Sequence, residues 1–283
     1  MTAIAIVSMG EMGSGIAGRL VENGARVLTS LEGRSAASLS RAKAAGVEIF
    51  DDAAMIAQAE LLLSIVPPST AGTTAERFLP LIKRSESKPM FLECNAIAPQ
   101  TVLALSKPFA AQGLRFGDAS IIGLSPKPRG ISPRLYMSGP VRLEADLLRS
   151  FGLDTRVLSD VVGDASALKM AYAGINKGFQ AIAAAMAFGA VRSGAADSLV
   201  AELQDSQPEL YTWLSKRLPA MYSKASRWDG EMREIAKFLE PERGAVAMLT
   251  GAADLYNHIA AEYSEGARSE IILAIDKFAK PLR

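Results

Sequence analysis

Two clusters of residues in this chain have types and spacings that could do chemistry. The first is Ser8-Met9-Gly10-Glu11-Met12-Gly13, which follows the apolar run Ile4–Val7 and opens a helical pattern. It is a G-x-G-x-x-G frame with Ser8 standing at the first glycine, so the turn there differs slightly from a glycine turn. The middle glycine, Gly10, lets backbone approach a pyrophosphate, and the last, Gly13, lets the helix pack against the strand. Free N–H groups and the dipole at the helix start attract the anion. Ser8, Met9, Gly10, Glu11, Met12 and Gly13 are therefore expected to bind a dinucleotide. A plain strand-to-helix turn is the alternative, and the context of strand, turn, helix and second strand argues against it.

The second strand should end in an acid if a ribose 2′-hydroxyl is to be bound. It ends Thr29-Ser30-Leu31-Glu32-Gly33-Arg34-Ser35. Ser30 and Leu31 occupy the expected acid position, and the Arg34 guanidinium and Ser35 hydroxyl suit a 2′-phosphate. NADP is the expected cofactor. NAD stays open through Glu32, and a merely solvated Arg34 is the bland reading.

The second cluster is a polar stripe at helical spacing: Ser166, Lys169, Tyr172 or Ala173, and Asn176. Removing a hydride from an alcohol requires a base for the hydroxyl proton, and the reverse reaction requires an acid. A lysine serves both directions if burial and a cationic nicotinamide lower its pKa. Tyr172 or Asn176 would then hydrogen-bond a substrate in an interdomain cleft, and Ser166 would orient the ammonium. On spacing alone, a solvent-facing lysine is the commoner outcome.

The elements that must position these groups are legible in the pattern. Ile4–Val7, Arg26–Thr29, Leu61–Val66 and Met90–Leu92 read as short buried strands. Between them lie helical stretches such as Ser14–Glu22 and Ala36–Ala45, with Gly24 and Gly46 at the helix ends. Arg115–Ala119, Arg134–Met137 and Thr155–Leu158 read as further strands near the sheet edge. The pattern changes after Asp160. From Ala165 to Arg192 no proline intervenes, and Leu168, Ala171, Ile175, Phe179, Ile182 and Met186 form one helical face. Breaks follow at Gln207-Pro208, Leu218-Pro219 and Glu240-Pro241. The expected fold is an α/β Rossmann-type doubly wound sheet over residues 1–160, then an all-α domain over 161–283.

Composition narrows the function further. The 283 residues carry a net charge of +1 and no long basic run, so neither nucleic acid nor a membrane surface is an expected partner. The densest charge cluster, Lys83 to Lys88, mixes signs and reads as a solvated loop. One cysteine, Cys94, and one histidine, His258, argue against a disulfide, a Cys/His metal site and a His-based triad. Cys94 reads as a small buried residue, and Tyr211, Trp213, Tyr222 and Trp228 as helical core, with Trp228 able to border a cleft. No metal is expected. No apolar segment reaches a membrane-spanning length and no secretory leader is evident, so the cytoplasm is the expected location.

Several blocks, in order, resemble the β-hydroxyacid dehydrogenases, the group of 3-hydroxyisobutyrate and 6-phosphogluconate dehydrogenases. They are Ile6 to Gly13, Val66-Pro67-Pro68, Glu93 to Pro99, Asp118-Ala119-Ser120-Ile121-Ile122-Gly123, and Gly163 to Lys169. The resemblance implies that Val66, Pro67, Pro68 and Asn95 line the cofactor, Asn95 near the nicotinamide ribose. It also implies that Ser120, Ile121, Ile122 and Gly123 border the substrate and that Lys169 is the catalytic lysine. The ending, around Arg227 to Met232, looks like an uncharacterised branch with a phosphogluconate-dehydrogenase-like carboxyl-terminal domain. Two departures stand out. Ile122-Gly123-Leu124 replaces a Ser-Gly-Gly that holds a substrate carboxylate in relatives, and Ala173 stands where relatives carry Asn. Lys127 and Arg129, in the Pro-rich loop that follows, either capture an anionic substrate or simply solvate the turn.

The resulting expectation is an NADP-preferring dehydrogenase or reductase for a small hydroxy acid or related alcohol/carbonyl pair, with Lys169 as general acid/base. The Ala-rich helix suggests a homodimer. An imine reductase, a decarboxylating sugar-acid dehydrogenase and a non-catalytic dinucleotide sensor are the rivals.

Overall fold

A computed structural model describes residues 2–126, 130–264 and 269–280; Lys127 and Arg129 lie outside them. The chain divides into two compact units, Met1–Met170 and Ala171–Arg283. The division falls inside a helix, later than the compositional change at Asp160.

The first unit alternates strands and helices: β1 (Ala3–Val7), α1 (Glu11–Glu22), β2 (Arg26–Ser30), α2 (Ala36–Ala44), β3 (Glu48–Phe50), α3 (Asp52–Gln58) and β4 (Leu61–Ser64). A short turn of 3-10 helix, Pro68–Thr70, then leads to α4 (Ala71–Arg84), β5 (Met90–Glu93), α5 (Pro99–Ala110), β6 (Phe116–Ile122) and β7 (Arg134–Ser138). The last elements are α6 (Arg142–Ser150), β8 (Asp154–Ser159) and α7 (Asp164–Ala173). The strands form one eight-stranded sheet, ordered β3-β2-β1-β4-β5-β6-β7-β8. Every pairing is parallel except β6 with β7.

Strands β1, β4 and β5 are buried along their whole length, as central parallel strands covered on both faces must be. Their side chains alternate between two cores. One holds Ile4, Ile6, Leu61, Leu63 and Leu92 against Ile16 and Leu20 of α1. The other holds Ala5, Val7, Leu62 and Phe91 against Phe78, Phe109 and Phe116, with the Phe91 and Phe109 rings 5.0 Å apart. Gly24 closes α1 in the left-handed region, φ 87°, where a side chain would be strained.

Three local expectations need correction. The strand expected over Leu61–Val66 stops at Ser64, because the Val66 N–H turns aside to donate to the Asn95 side chain. Lys83 and Arg84 are not loop residues; they form the last turn of α4, where cations suit the carboxyl end of the helix dipole. The third strand, Glu48–Phe50, was not among the strands read from the pattern: it is an edge strand of three residues, none of them fully buried. It is tied to β2 by the Arg26–Glu48 ion pair at 2.7 Å.

The second unit is helical. A π-helical turn, Gly174–Gly178, leads to α8 (Phe179–Arg192), α9 (Ala196–Ser206) and α10 (Pro208–Arg217). A 3-10 segment, Pro219–Lys224, precedes α11 (Ala225–Phe238), α12 (Arg243–Ser264) and α13 (Glu270–Ala279). Pro208 and Pro219 open α10 and the 3-10 segment, at the helix position where no N–H is needed, and Pro241 lies between α11 and α12. The helical run expected from Ala165 to Arg192 is present without a break, with a π turn at Gly174–Gly178 inside it. Helix α8 buries Gln180, Ala181, Ala184 and Ala187, whereas Ile175 is 73% and Met186 60% exposed. Among the described residues no helix is long and apolar enough to cross a membrane.

Candidate active site

The strand order reverses between β1 and β4, so the loops leaving those two strands diverge and open a crevice at their carboxyl ends. Ser8 to Gly13 form one of these loops. Gly10 is the N-cap of α1 and no side chain caps the first turn, which leaves the helix start to a ligand. The two glycines have different jobs. A Cβ on Gly10 would meet no protein atom within 4 Å, so it could obstruct only something bound there. A Cβ on Gly13 would lie 1.9 Å from the Ser8 carbonyl oxygen, so this glycine is what lets helix and strand touch. The side chain of Met9 is fully buried in the core and that of Met12 packs against it. Those residues offer backbone, not side chains, to the crevice. These features fit a dinucleotide pyrophosphate.

At the end of β2, Ser35 is the N-cap of α2 and accepts a hydrogen bond from the Ser38 N–H at 3.4 Å. Arg34 beside it donates its backbone N–H to the Leu31 carbonyl at 3.0 Å, and its side chain makes no hydrogen bond or ion pair among the described residues. Arg41, which the sequence reading passed over, reaches back from α2 and donates through Nε to the Met9 carbonyl at 2.8 Å. Glu32 is drawn toward Arg77 of α4, 3.3 Å away, and Arg77 also grips Asp52.

Asn95 ties the loops after β4 and β5 together. Its Oδ1 accepts the Val66 N–H at 2.6 Å and its Nδ2 donates to Ser64 Oγ at 3.1 Å. Its own N–H donates to Glu93 at 2.9 Å. Val66 is buried and Pro67 exposed, with Pro68 opening the 3-10 turn. Glu93, completely buried, was also missed by the sequence reading. Burial drives its carboxyl up to about 8, opposed by the Asn95 N–H and helped by the nearby Asp118. Cys94 is buried, as expected, and burial raises its thiol well above the usual range, with Glu93 and Asp118 adding to the rise.

Strand β6 carries the expected substrate segment. Ser120 is 1% exposed and its hydroxyl has no hydrogen-bond partner among the described residues; Ile121 is in the core, Ile122 is half-buried, and Gly123 turns the chain at φ 135°. Beyond that turn the chain folds back on α1, where Ser125 Oγ donates to the Glu11 carbonyl at 2.7 Å. Lys169, on α7, donates from Nζ to the Ile121 carbonyl at 2.7 Å. Ser166 does not orient that ammonium: its hydroxyl donates to Asp118 Oδ1 at 2.7 Å, one helical turn away. Burial raises the Asp118 carboxyl, opposed by hydrogen bonds from Ser166, Ser138 and Gly163.

Tyr172 and Asn176 belong to the second unit. Tyr172 is half exposed, and Asn176 Nδ2 donates to the Tyr172 carbonyl at 2.9 Å. Lys177, next in the π turn, pairs with Glu231 of α11 and lies 5.2 Å from the Trp228 ring centre. Burial lowers its pKa, opposed by Glu231. Nothing in the sequence pattern singled this lysine out. Among the described residues no group of His, Cys, Asp or Glu could hold a metal ion.

Comparison with known proteins agrees with this geometry. Residues 3–88 match the family model described as NADP oxidoreductase, coenzyme F420-dependent, and residues 190–259 match a domain of unknown function, DUF1932. A 3-hydroxyisobutyrate dehydrogenase of Pseudomonas aeruginosa is 32% identical over 129 residues, 44% of this chain and 41% of that one. The solved structure of the conserved protein MTH1747, of unknown function and described as structurally similar to 3-hydroxyacid dehydrogenases, is 26% identical. It superposes with a TM-score of 0.71 over 94% of this chain and 99% of that one. The same fold is seen in Mycobacterium tuberculosis 3-hydroxyisobutyrate dehydrogenase, at 20% identity and a TM-score of 0.71, covering 97% and 98% of the two chains. An imine reductase from Myxococcus stipitatus in complex with NADP+ shares it more distantly, with 15% identity, 99% coverage of each chain and a TM-score of 0.56. The chain thus carries the domain pair and the fold of the 3-hydroxyacid-dehydrogenase-like proteins.

Proposed function

We propose that this protein is an NADP-preferring oxidoreductase that moves a hydride between nicotinamide and a small hydroxy acid or related alcohol/carbonyl pair, with Lys169 as general acid/base. The observation that carries the reading is the hydrogen bond from Lys169 to the Ile121 carbonyl. It holds an ammonium at the carboxyl end of β6, on the sheet edge where the loops of α/β proteins bind ligands. When bound, the nicotinamide supplies or accepts the hydride. The protein's part is to place the substrate and to exchange the hydroxyl proton. In the oxidation direction the neutral Lys169 amine takes that proton; in reduction its ammonium returns it to the carbonyl oxygen.

Preference for the 2′-phosphate is supported by Arg34 and Ser35 at the start of α2, by Arg41 reaching back from its last turn to the Met9 carbonyl, and by the diversion of Glu32 toward Arg77. A homodimer is supported by the exposed stripe Ile175, Phe179, Ile182 and Met186, a continuous apolar face on a helix that can meet its own copy. The test is a screen of small hydroxy acids and their carbonyl partners with NADP, using wild type and Lys169→Met. A substrate whose turnover falls at least about 100-fold in the variant, with NADPH affinity kept, supports the reading. Turnover that survives the substitution removes Lys169 from the chemistry. NADPH binding with no turnover of any candidate favours a sensor.

A further inference from the structure

Asp118 is completely buried on β6. Its charge is met by the start of α7. Oδ2 accepts the Gly163 N–H, the Ser166 N–H and the Ser138 hydroxyl, each at 3.0 Å. Oδ1 accepts the Ser166 hydroxyl at 2.7 Å. The Ser138 hydroxyl in turn accepts the Ala165 N–H at 3.0 Å. One carboxylate and one hydroxyl thereby take up three of the backbone donors that a helix start leaves without partners. An ordinary N-cap contributes one acceptor and needs no charge. A carboxylate sunk in the sheet costs several kcal/mol in desolvation, so so many donors converging on it calls for a reason beyond capping.

Position supplies the reason. Lys169 lies three residues beyond Ser166, one turn along the same side of α7. Its ammonium meets the carbonyl of Ile121, three residues beyond Asp118 on the same strand. Strand β6 therefore holds α7 at two points about 10 Å apart along the strand: the helix start through Asp118, the ammonium through Ile121. We propose that Asp118 is the positioning residue for Lys169, fixing the height and rotation of α7 so that the ammonium stands at the end of β6. Its catalytic meaning rests on the proposed role of Lys169, but the positioning itself does not.

Asparagine in place of Asp118 keeps the size and turns one acceptor oxygen into a donor facing other donors. The helix start must then shift. The experiment is competitive labelling of the folded protein with acetic anhydride across pH 6 to 11, quantified by peptide mass spectrometry, with the exposed Lys107 as internal reference. Wild type, Asp118→Asn and Ser166→Ala are compared. In Asp118→Asn the Lys169 labelling rate should rise about tenfold relative to Lys107. Ser166→Ala, which removes only the Oδ1 bond, should raise the rate about threefold and provides the answer if the first variant fails to fold. Phe109→Leu, matched for loss of thermal stability, should leave Lys169 unchanged. Labelling of Lys169 that stays as in wild type in both variants, or that shifts equally in Phe109→Leu, overturns the proposal. Because labelling requires neither substrate nor turnover, this outcome is separate from survival of activity in Lys169→Met, which would sink the enzymatic reading alone.

Discussion

Gly10 and Gly13 share a motif but would respond differently to one added methyl group. Alanine at Gly10 meets open space, so thermal stability should stay within about 1 kcal/mol while NADPH affinity, read by calorimetry, drops at least tenfold. Alanine at Gly13 drives a Cβ into the Ser8 carbonyl and should cost stability as well, by about 2 kcal/mol or more. Equal behaviour of the two variants would refute the division of labour. Arg34→Ala should weaken NADPH binding about tenfold to a hundredfold, the worth of one charge-assisted contact, and leave NADH binding unchanged. Glu93 offers a test in pH. Its carboxyl stays protonated in the fold up to about 8 but loses its proton near 4.5 in the unfolded chain. The folded state binds the extra proton throughout that window, so stability is full below about 4.5 and declines as pH rises to 8. The decline is worth about 4–5 kcal/mol. Urea unfolding at pH 5 and pH 8 should show Glu93→Gln gaining on wild type at the higher pH; parallel curves would show that Glu93 is already ionised.

At the scale of elements, what could be read from the sequence depended on whether a segment's environment repeats along the chain. Strands buried on both faces announce themselves as apolar runs, and β1, β2, β4 and β5 were legible for that reason. Strand β3 was not, since it is three residues long and lies at the sheet edge, paired on one side only and not fully buried. The glycine turn was legible because its spacing is local. The Asp118 grip was not, because its donors come from Ser138, Gly163 and Ser166, and only folding brings them together. The π turn was equally silent, and it carries Lys177 into its pairing with Glu231. Both side chains are largely buried, so Lys177→Met should cost about 3 kcal/mol by stranding the carboxylate. Adding Glu231→Leu should restore most of the loss in urea melts. A double variant no better than the single would show that the pair is not what holds α11 to the π turn.

For the whole molecule, the helical face read from residues 168–186 was periodic in the sequence, but periodicity does not say what covers it. In the folded chain alanines and Gln180 take the inside of α8, while Ile175, Phe179, Ile182 and Met186 remain outside. If a second copy covers that stripe, Met186→Glu should halve the mass seen by light scattering without lowering NADPH affinity. A wild-type protein that runs as a monomer at micromolar concentration would end the dimer proposal. The single cysteine of the chain has a practical consequence at this scale. Cys94 sits at the end of β5 within the sheet's core, its thiol kept protonated and out of reach. A thiol reagent therefore meets nothing to attack until that part of the sheet opens, and then meets one group only. The protein carries its own clock of opening: the rate at which one equivalent of reagent is consumed measures how often the central strands part, with no label introduced and no residue changed.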